Sequence, residues 1–168
     1  MEKKLNAKVD FFQRFRLSEG ISRTNLNKLV YFLKEKVFRR RDIVYGEGDT
    51  AEFVYFTKEG EFEVSKRIQT KLSKVPGTQK VNSNMMKNVD IKVSIIGPNQ
   101  IIGLEDLHKD KTTYRQNKVT CISEKAMVYY LSKDEYFTRF YKNLARHVVN
   151  ESRQLKEPFF NQRVKSLK

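Results

Sequence analysis

The stretch from Ile101 to Leu131 constrains the fold of this chain more than any other. Its sequence, IIGLEDLHKDKTTYRQNKVTCISEKAMVYYL, predicts a tight turn at Gly103, a short helix, a charged loop that contains Arg115, and two strands. Backbone N–H groups at the start of a short helix attract an anion, and an arginine from the far side of the loop would close the other side. The order of these elements therefore predicts an anion pocket in a domain rich in β-strands.

Short strands separated by glycine turns precede and follow this pocket. Gly46, Gly48 and Gly60 mark turns, because glycine adopts backbone angles that other residues avoid. Apart from the short helix after Gly103, helices are predicted only near the two ends of the chain. The fold class that fits is mainly β with flanking helices, an antiparallel jelly-roll-like β-barrel. Its strands are predicted at residues 43–44, 53–56, 62–64, 91–95, 118–122 and 126–131.

The flanking helices are predicted from apolar spacing and from a capping motif. In an N-terminal helical segment, residues 1–37, a short first helix ends near Gly20 and a second begins at Ser22. At the other end, Ser132 and Glu135 form a capping box, in which a hydroxyl and a carboxylate each bond to a backbone N–H at the helix start. One longer helix and a tail are therefore predicted over residues 132–168. The apolar face of the second helix comprises Leu26, Leu29, Val30, Leu33 and Val37.

A long loop is predicted inside the barrel, which we assign to residues 38–131. Between Ile68 and Asn88 the strand period is lost, polar residues dominate, and a Pro-Gly pair begins at Pro76. We therefore place a loop at residues 68–90. Loops of this length are often mobile or contact a partner.

The chain is strongly basic. It has 34 lysine and arginine residues against 20 acidic ones, a net charge of +14. Such an excess favours contact with polyanions, namely an acidic protein surface, nucleic acid or an anionic membrane surface. No apolar run reaches the roughly 20 residues of a membrane helix, and no secretory signal begins the chain. With one cysteine, Cys121, which suits a reducing compartment, we expect a cytoplasmic protein without a membrane span.

The run RRRDIVYGEGDTAEFVYFTKEGEFEV resembles the opening strands of the cyclic-nucleotide-binding domain family, whose modules hold cAMP or cGMP in kinases and channels. Residues 101–118 resemble the phosphate-binding cassette of the same family. The resemblance implies the same barrel and a cyclic nucleotide as the ligand to test. The family shows a Gly-Asp turn, an apolar strand that ends in an aromatic residue, and a further glycine turn, which match Gly48, Asp49, Phe53, Tyr55 and Gly60.

The cassette departs from the family pattern at two positions. The resemblance implies a glycine, then a glutamate that accepts from the ribose 2′-hydroxyl, a small residue beside the phosphate, and an arginine that pairs with the phosphate. Gly103 and Arg115 match, but Leu104 stands at the glutamate position and Asp106 at the small-residue position. A leucine cannot accept a hydrogen bond, which costs about 1–3 kcal/mol of binding free energy. The aspartate would repel an anion.

If a nucleotide binds, the resemblance implies which residues would contact it, including an aromatic residue near the end of the chain that would cap the base. Glu105 follows the family's glutamate position by one residue. One residue of helix rotates a side chain by about 100°, so Glu105 would point away from the ribose. Lys118 stands where cGMP-selective members place a threonine, so no residue favours cGMP over cAMP. No cofactor is expected to be required. The implied set is Gly103, Leu104, Glu105, Leu107, Arg115, Phe159 and Phe160.

Enzyme chemistry is not indicated by the sequence. His108 and His147, the two histidines, have no partner at metal-ligand spacing. Cys121 alternates inward with Val119 on a predicted strand, where a thiol is usually an inert core residue. The sequence has neither a phosphate-binding loop with its lysine nor a nucleophile elbow. We therefore expect a non-enzymatic domain without a metal site.

Three functions remain open. The first is a regulatory or scaffolding module that binds an acidic protein surface; divergent members of the family occur in cilia and flagella, so the resemblance suggests a microtubule-based assembly. The second is a genuine cAMP or cGMP sensor that regulates a partner kinase or channel. The third is non-specific binding of nucleic acid or another polyanion. The interaction surface of the first function would be a basic stripe of the C-terminal helix, Arg139, Lys142, Arg146, Arg153 and Lys156.

Overall fold

The computed structural model describes residues 2–15, 18, 21–71 and 86–141. The chain divides into two compact units. A helical unit comprises Met1–Lys34 with Leu131–Lys168, and a β unit comprises Glu35–Tyr130. Among the described residues, no helix is long and apolar enough to cross a membrane.

The β-strands of the described residues form two four-stranded sheets. The hydrogen-bonded order is β1-β8-β3-β6 in one sheet and β2-β7-β4-β5 in the other. The pairs β2–β7, β3–β6, β4–β5 and β4–β7 are antiparallel. The prediction of an antiparallel jelly-roll-like barrel is thus confirmed. The strands are β1 (Lys34–Arg39), β2 (Ile43–Tyr45), β3 (Phe53–Glu59), β4 (Phe62–Lys71), β5 (Met86–Ile96), β6 (Ile101–Ile102), β7 (Lys118–Cys121) and β8 (Lys125–Ser132).

The core of the β unit takes side chains from both sheets. Successive residues of a strand point to opposite faces, so alternate positions are buried. On β7 this places Val119 and Cys121 inside, as their alternation predicted. Phe38 and Phe62 meet edge to face, with ring centroids 5.9 Å apart. The buried cluster comprises Phe38, Val44, Tyr45, Tyr55, Phe62, Val64, Ile102, Val119, Cys121, Ala126 and Val128.

The strands β4 and β5 form a hairpin that extends beyond the rest of their sheet. β5 pairs with β4 from Phe62 to Lys71, whereas β7 pairs with β4 only as far as Ser65. Beyond that point the two strands stand as a two-stranded ribbon. We call it the β4–β5 ribbon and define it as residues 66–71 with 86–91.

The ribbon occupies part of the region where the sequence predicted a loop, residues 68–90. Residues 68–71 and 86–90 are strand instead. The reason is that pairing with the opposite strand stabilises an extended backbone even where the side chains are polar and the local β-propensity is low. The remaining positions, 72–85, which include Pro76, lie outside the described residues.

The second helix of the helical unit is shorter than its apolar spacing predicted. Ser22 caps it, since the Ser22 side chain accepts a hydrogen bond from the N–H of Asn25 at 3.4 Å. β1 begins at Lys34, so Val37 lies on a strand and is exposed rather than lying on the helix. The backbone N–H and C=O groups of β1 form hydrogen bonds with β8, so they are satisfied without a longer helix. The two N-terminal helices are α1 (Glu2–Phe12) and α2 (Arg23–Val30).

Aromatic side chains fill the interior of the helical unit. Phe11 and Phe15 are buried, with ring centroids 5.1 Å apart. Phe12 is buried as well and lies 5.6 Å from Phe140, ring centroid to ring centroid. The spacing of Phe11, Phe12 and Phe15, at i, i+1 and i+4, is the apolar pattern from which the first helix was predicted. The first helix was expected to end near Gly20, but α1 ends at Phe12, where turn hydrogen bonds from the N–H groups of Arg14 and Phe15 replace the helical pattern. Gly20 itself lies outside the described residues.

The predicted capping box is present at the start of the C-terminal helix. The Ser132 hydroxyl accepts from the N–H of Glu135, and the Glu135 carboxylate accepts from the N–H of Ser132 at 3.2 Å. The helix α3 (Lys133–Glu135) continues as a wider, π-type helical turn over Tyr136–Tyr141. The described part of this helix is therefore short. The rest of the predicted helix, from residue 142 on, lies outside the described residues.

Candidate functional site

Arg115 is buried in the β unit, with 2% of its surface exposed. Backbone hydrogen bonds fix its position: its N–H donates to the carbonyl of Asp49 at 2.8 Å, and its carbonyl accepts from the N–H of Gly48 at 2.8 Å. Gly48 has a φ of 86°, which favours glycine. The Gly-Asp turn that the sequence singled out therefore holds the backbone of Arg115.

The guanidinium group of Arg115 contacts protein groups from three other segments. Nη1 donates to the carbonyl of Gly103 at 2.6 Å, and Nη2 donates to the carbonyl of Phe53. The ring of Tyr45 lies against its face, with Cζ 4.2 Å from the ring centroid, which is a cation–π geometry. Protein atoms therefore take donors that a ligand phosphate would need.

Asp106 is the anionic neighbour of Arg115. Its Oδ2 lies 3.8 Å from Nη1, and the arginine and aspartate side chains are 2% and 5% exposed. The same oxygen accepts from the N–H of Gln116 at 3.4 Å, and the hydroxyl of Thr113 donates to the Asp106 carbonyl. The two residues form an internal ion pair in which Asp106 supplies a negative charge beside the guanidinium.

Gly103 is required by the geometry of both its backbone and its neighbour. Its φ is 79°, a left-handed conformation that side chains disfavour. A Cβ atom at this position would lie 2.9 Å from Cζ of Arg115, closer than carbon atoms normally approach. Any other residue would push the guanidinium away from its carbonyl partners. This glycine therefore fits the buried arginine as well as the turn.

One donor of the guanidinium is left over. Nε of Arg115 is buried and has no hydrogen-bond partner among the described residues. A buried donor without an acceptor costs about 1–3 kcal/mol. The cassette therefore contains one polar group that an added acceptor atom would satisfy.

Three tyrosines form an aromatic wall that begins at Tyr45, whose ring lies against Arg115. The ring centroids of Tyr45 and Tyr55 lie 6.2 Å apart, and those of Tyr55 and Tyr130 lie 6.1 Å apart. Burial raises the pKa of Tyr45, and the Glu105 carboxylate raises it further. Burial also raises the pKa of Tyr55, although the charge of Arg115 opposes the shift. Both phenols are therefore neutral at neutral pH and keep their hydrogen-bond donor.

Two of these tyrosines, Tyr45 and Tyr130, are not among the residues predicted from the sequence. A signal for Tyr45 was available, because it directly precedes the Gly46 turn at the end of an apolar strand. Tyr130 had no such marker. Its place beside the cassette follows from the pairing of β8 with β3, which the sequence alone does not give.

The segment after Gly103 forms a turn where a short helix was predicted. The N–H of Leu107 donates to the carbonyl of Leu104 at 3.1 Å, and the described residues of this segment include no helix. Leu104 and Leu107 are half-buried, while Glu105 is exposed. The burial of Asp106 and its bond from Thr113 fix the backbone in this turn. The row of N–H groups on which the predicted anion pocket depended is therefore not formed here.

The remaining predicted residues lie apart from the cassette or outside the described residues. Arg139, in the helical unit, is exposed, and its Cζ lies 3.6 Å from the ring centroid of Phe32. Nothing is described of the other members of the basic stripe or of the proposed aromatic cap. These residues are Lys142, Arg146, Arg153, Lys156, Phe159 and Phe160.

Cys121 and His108, for which the sequence indicated no catalytic or metal-binding role, form structural contacts. Burial raises the pKa of the Cys121 thiol, whose Sγ donates to the carbonyl of Ser123 at 3.3 Å. His108 is exposed, and its Nδ1 accepts from the N–H of Asp110 at 3.3 Å. Among the described residues, no group of three or more His, Cys, Asp or Glu side chains could hold a metal ion. His147 lies outside the described residues.

Solved structures match this chain, although a scan against protein-family models and a search of curated proteins return no match. The regulatory domain of Toxoplasma gondii PKA with cAMP has a TM-score of 0.64 at 16% identity, over 91% of this chain and 51% of that chain. The guanosine-bound regulatory subunit of a cAMP-independent protein kinase A from Trypanosoma cruzi has a TM-score of 0.63 at 13% identity, over 86% and 44%.

A bacterial sensor domain is similar over nearly its whole length. The sensor domain of the transcriptional regulator DNR from Pseudomonas aeruginosa has a TM-score of 0.64 at 12% identity, with 95% of each chain covered. This chain spans about half the length of the kinase regulatory chains that it matches. At such low identity the matches establish the fold.

Proposed function

Starting from the cyclic-nucleotide-binding fold, which this chain shares with those structures, we propose that it is a non-enzymatic regulatory or scaffolding module that binds a protein partner. Its cassette is closed by its own residues, and the binding of cyclic nucleotides is weak or lost. The observation that supports this function is the buried pair of Arg115 and Asp106, whose Nη1 and Oδ2 atoms lie 3.8 Å apart.

A cyclic phosphate would have to displace protein groups from Arg115. The carbonyls of Gly103 and Phe53 already accept from its two Nη atoms. The phosphate would also approach the Asp106 carboxylate, and two anions repel strongly where water is excluded. Leu104 offers the ribose no acceptor, which lowers affinity by about ten- to a hundredfold. All of these effects oppose cyclic-nucleotide binding.

Isothermal titration calorimetry with cAMP and cGMP tests this proposal. We expect the natural chain to show no saturable binding at micromolar ligand. The double variant Leu104→Glu/Asp106→Ala supplies the missing acceptor and the missing space, so its affinity should rise by at least about tenfold. Asp110→Ala removes an exposed acid from the same loop and is the matched control, which should gain nothing.

One result would replace the proposal by a cyclic-nucleotide sensor. It is saturable micromolar binding by the natural chain that disappears in Arg115→Lys. Lysine keeps the positive charge but cannot form the planar, two-point contact of a guanidinium. Thermal melting of each variant shows whether the fold is retained, so that a lost ligand is not confused with a lost fold.

The proposed partner is an acidic protein surface. The chain has a net charge of +14, and Arg139 is an exposed cation of the described residues. The proposal includes the other basic residues of the predicted stripe, and a microtubule-based assembly in the cytoplasm is a setting with such a surface. Binding should weaken as salt increases. Non-specific nucleic-acid binding would show the same salt dependence with DNA or RNA of any sequence.

A nucleoside is a second candidate ligand for the cassette. It has no phosphate, so the Arg115–Asp106 pair would not repel it, and the unpartnered Nε of Arg115 is a donor for a base or ribose oxygen. The Trypanosoma cruzi protein of the same fold is bound to guanosine. Guanosine therefore belongs in the titration. Saturable binding that is lost in Tyr45→Leu, without binding of cAMP, would favour this candidate.

A further inference from the structure

β5 is an exposed strand at the edge of its sheet. In the part of the chain that the structure describes, it has β4 on one side and no strand on the other. None of its 11 side chains is buried. The backbone N–H and C=O groups along its outer side can therefore accept a further strand.

A register shift at Val93 places apolar side chains on both faces of β5. Ile91 lies opposite Lys66 and Ile95 lies opposite Glu63. Because those two β4 positions are an odd number of residues apart, the two isoleucines lie on opposite faces of the sheet. Ile91, Val93 and Ile95 are 45%, 59% and 47% exposed. The strand that their alternation predicted is present, but these side chains are not buried.

Two lysines on one face of the β4–β5 ribbon are not neutralised. Lys66 and Lys87 are exposed, and neither forms an ion pair with another described residue. Lys87 lies opposite Thr70, which shares a face with Lys66. On the other face, Arg67 pairs with Asp90 at 3.0 Å. One face of the ribbon is thus cationic, with apolar residues between its two charges.

The apolar residues between these charges lie on the same face of the ribbon. Ile68 lies opposite Val89. Ile68 is two positions from Lys66 on β4, and Val89 is two positions from Lys87 on β5, so all four share a face. Ile68 is exposed and Val89 is half-buried. A two-stranded hairpin is marginally stable in water, whereas three strands with a covered apolar face are stable. The ribbon would therefore gain from an added strand.

We propose that β5 receives an acidic, extended segment of a partner protein as an added strand. Backbone hydrogen bonds hold the segment, its apolar residues cover Ile91 and Val93, and its carboxylates pair with Lys66 and Lys87. This inference rests on the proposed function as an interaction module and names the surface and the chemistry of the partner. It does not depend on whether the cassette binds a ligand.

A second copy of this chain fits the edge less well than an acidic segment. A second copy of β5 would add Lys87 and Lys92 and only one acidic residue, Asp90, which already pairs with Arg67. Like charges that face each other across paired strands are destabilising. Two chains of net charge +14 would also repel at longer range. An acidic segment would instead be attracted to the lysines of β5 at short range and to the net positive charge of the chain at longer range.

The test uses a fluorescein-labelled peptide that alternates glutamate with valine or threonine, added to the full chain. Fluorescence anisotropy should show saturable binding that weakens about tenfold in Lys66→Glu/Lys87→Glu. The matched control, Lys34→Glu/Lys125→Glu, makes the same change of net charge at exposed lysines of β1 and β8. It should leave the affinity within about twofold.

A second probe separates strand addition from simple charge attraction. The same peptide with alternate backbone nitrogens methylated cannot donate hydrogen bonds to β5 and should bind at least about tenfold more weakly. Equal binding of both peptides would overturn the proposal, and so would an equal loss in the two lysine variants. Thermal melting confirms that both variants are folded.

Two further outcomes would assign the edge to another occupant and overturn the proposal. One is binding to phosphatidylserine vesicles with the same lysine dependence but no binding of the peptide. The other is a concentration-dependent dimer in sedimentation velocity that Ile91→Thr removes. The nucleotide titration is a separate measurement on the cassette, so failure of either proposal can be recognised without the other.

Discussion

The cassette and the edge strand β5 distribute polar and apolar groups in opposite ways. In the cassette, Arg115 and Asp106 are charged, buried and paired with each other. Arg115 also donates to two backbone carbonyls, and the Asp106 carboxylate accepts from the N–H of Gln116. On β5, Ile91 and Val93 are apolar and exposed. Buried polar groups with internal partners need no ligand, whereas exposed apolar groups gain free energy when they are covered. This difference is why we place the contact surface at the sheet edge rather than in the pocket.

The comparison also shows how a pocket can become part of the core. A buried charge is stable only when a partner compensates it. In this chain Asp106 stands beside Arg115, so the protein itself supplies the compensating anion. The same arginine and glycine that the sequence matched to a ligand site then contribute to the stability of the barrel.

The largest expected effect is that of breaking the buried pair. Arg115→Ala leaves the Asp106 carboxylate buried without its cation, so the free energy of unfolding should fall by about 3–5 kcal/mol. Urea unfolding followed by circular dichroism measures the change. Arg67→Ala removes the exposed ion pair with Asp90, which water screens, so its cost should be much smaller. Similar losses in both variants would show that the cassette is not a buried site, and the comparison would fail.

An effect of intermediate size on the free energy of unfolding is expected when the pH is raised. Burial raises the pKa of Tyr45 and Tyr55 above the ordinary phenol value of 10.0. Below that value the folded and unfolded chains both keep these protons, and the stability is fully present. Above it the unfolded chain ionises first, so stability falls as pH rises. Each tyrosine contributes at most about 1.4 kcal/mol per pH unit.

Urea unfolding from about pH 9 to about pH 11 measures this slope. Tyr45→Phe removes one buried phenol, so its free energy of unfolding should decline less steeply than that of the natural chain. Tyr114→Phe removes an exposed phenol and serves as the matched control. If the Tyr45 variant kept the full slope, the aromatic wall would not be buried as described.

The smallest effect is expected for a substitution at an exposed position of β5. Val93→Thr changes an exposed residue of β5 to another β-branched residue, so the free energy of unfolding should change by less than about 0.5 kcal/mol. The same substitution at the buried Val119 should cost about 1–3 kcal/mol, because it buries a hydroxyl. A large loss at Val93 would mean that part of the chain already covers β5.

Much of the fold could be predicted because it depends on local patterns. Alternating apolar residues and glycine turns locate the strands, and the Ser132–Glu135 capping box marks a helix start. Gly103 and Arg115 could be singled out as well, since the order of the cassette is a sequence signal. The structure brings the Gly103 carbonyl to 2.6 Å from Nη1 of Arg115.

The features that could not be predicted depend on contacts between distant residues. Asp106 pairs with Arg115 because it lies in a turn, whereas the sequence predicted a short helix for this segment. The register shift at Val93 lies in the pairing of β5 with β4, so the alternating sequence of β5 alone does not show which of its side chains are exposed. The end of α2 at Val30 follows from the pairing of β1 with β8.

The hydrogen bonds of Arg115 have a consequence for the speed at which the β unit opens. Nη2 reaches the carbonyl of Phe53 across 62 positions of the sequence. Contacts of such separation form only after a long loop has closed, so we expect them late in folding. Interactions that are absent from the transition state govern the rate of unfolding rather than the rate of folding. The guanidinium therefore prolongs the lifetime of the folded barrel without hastening its formation.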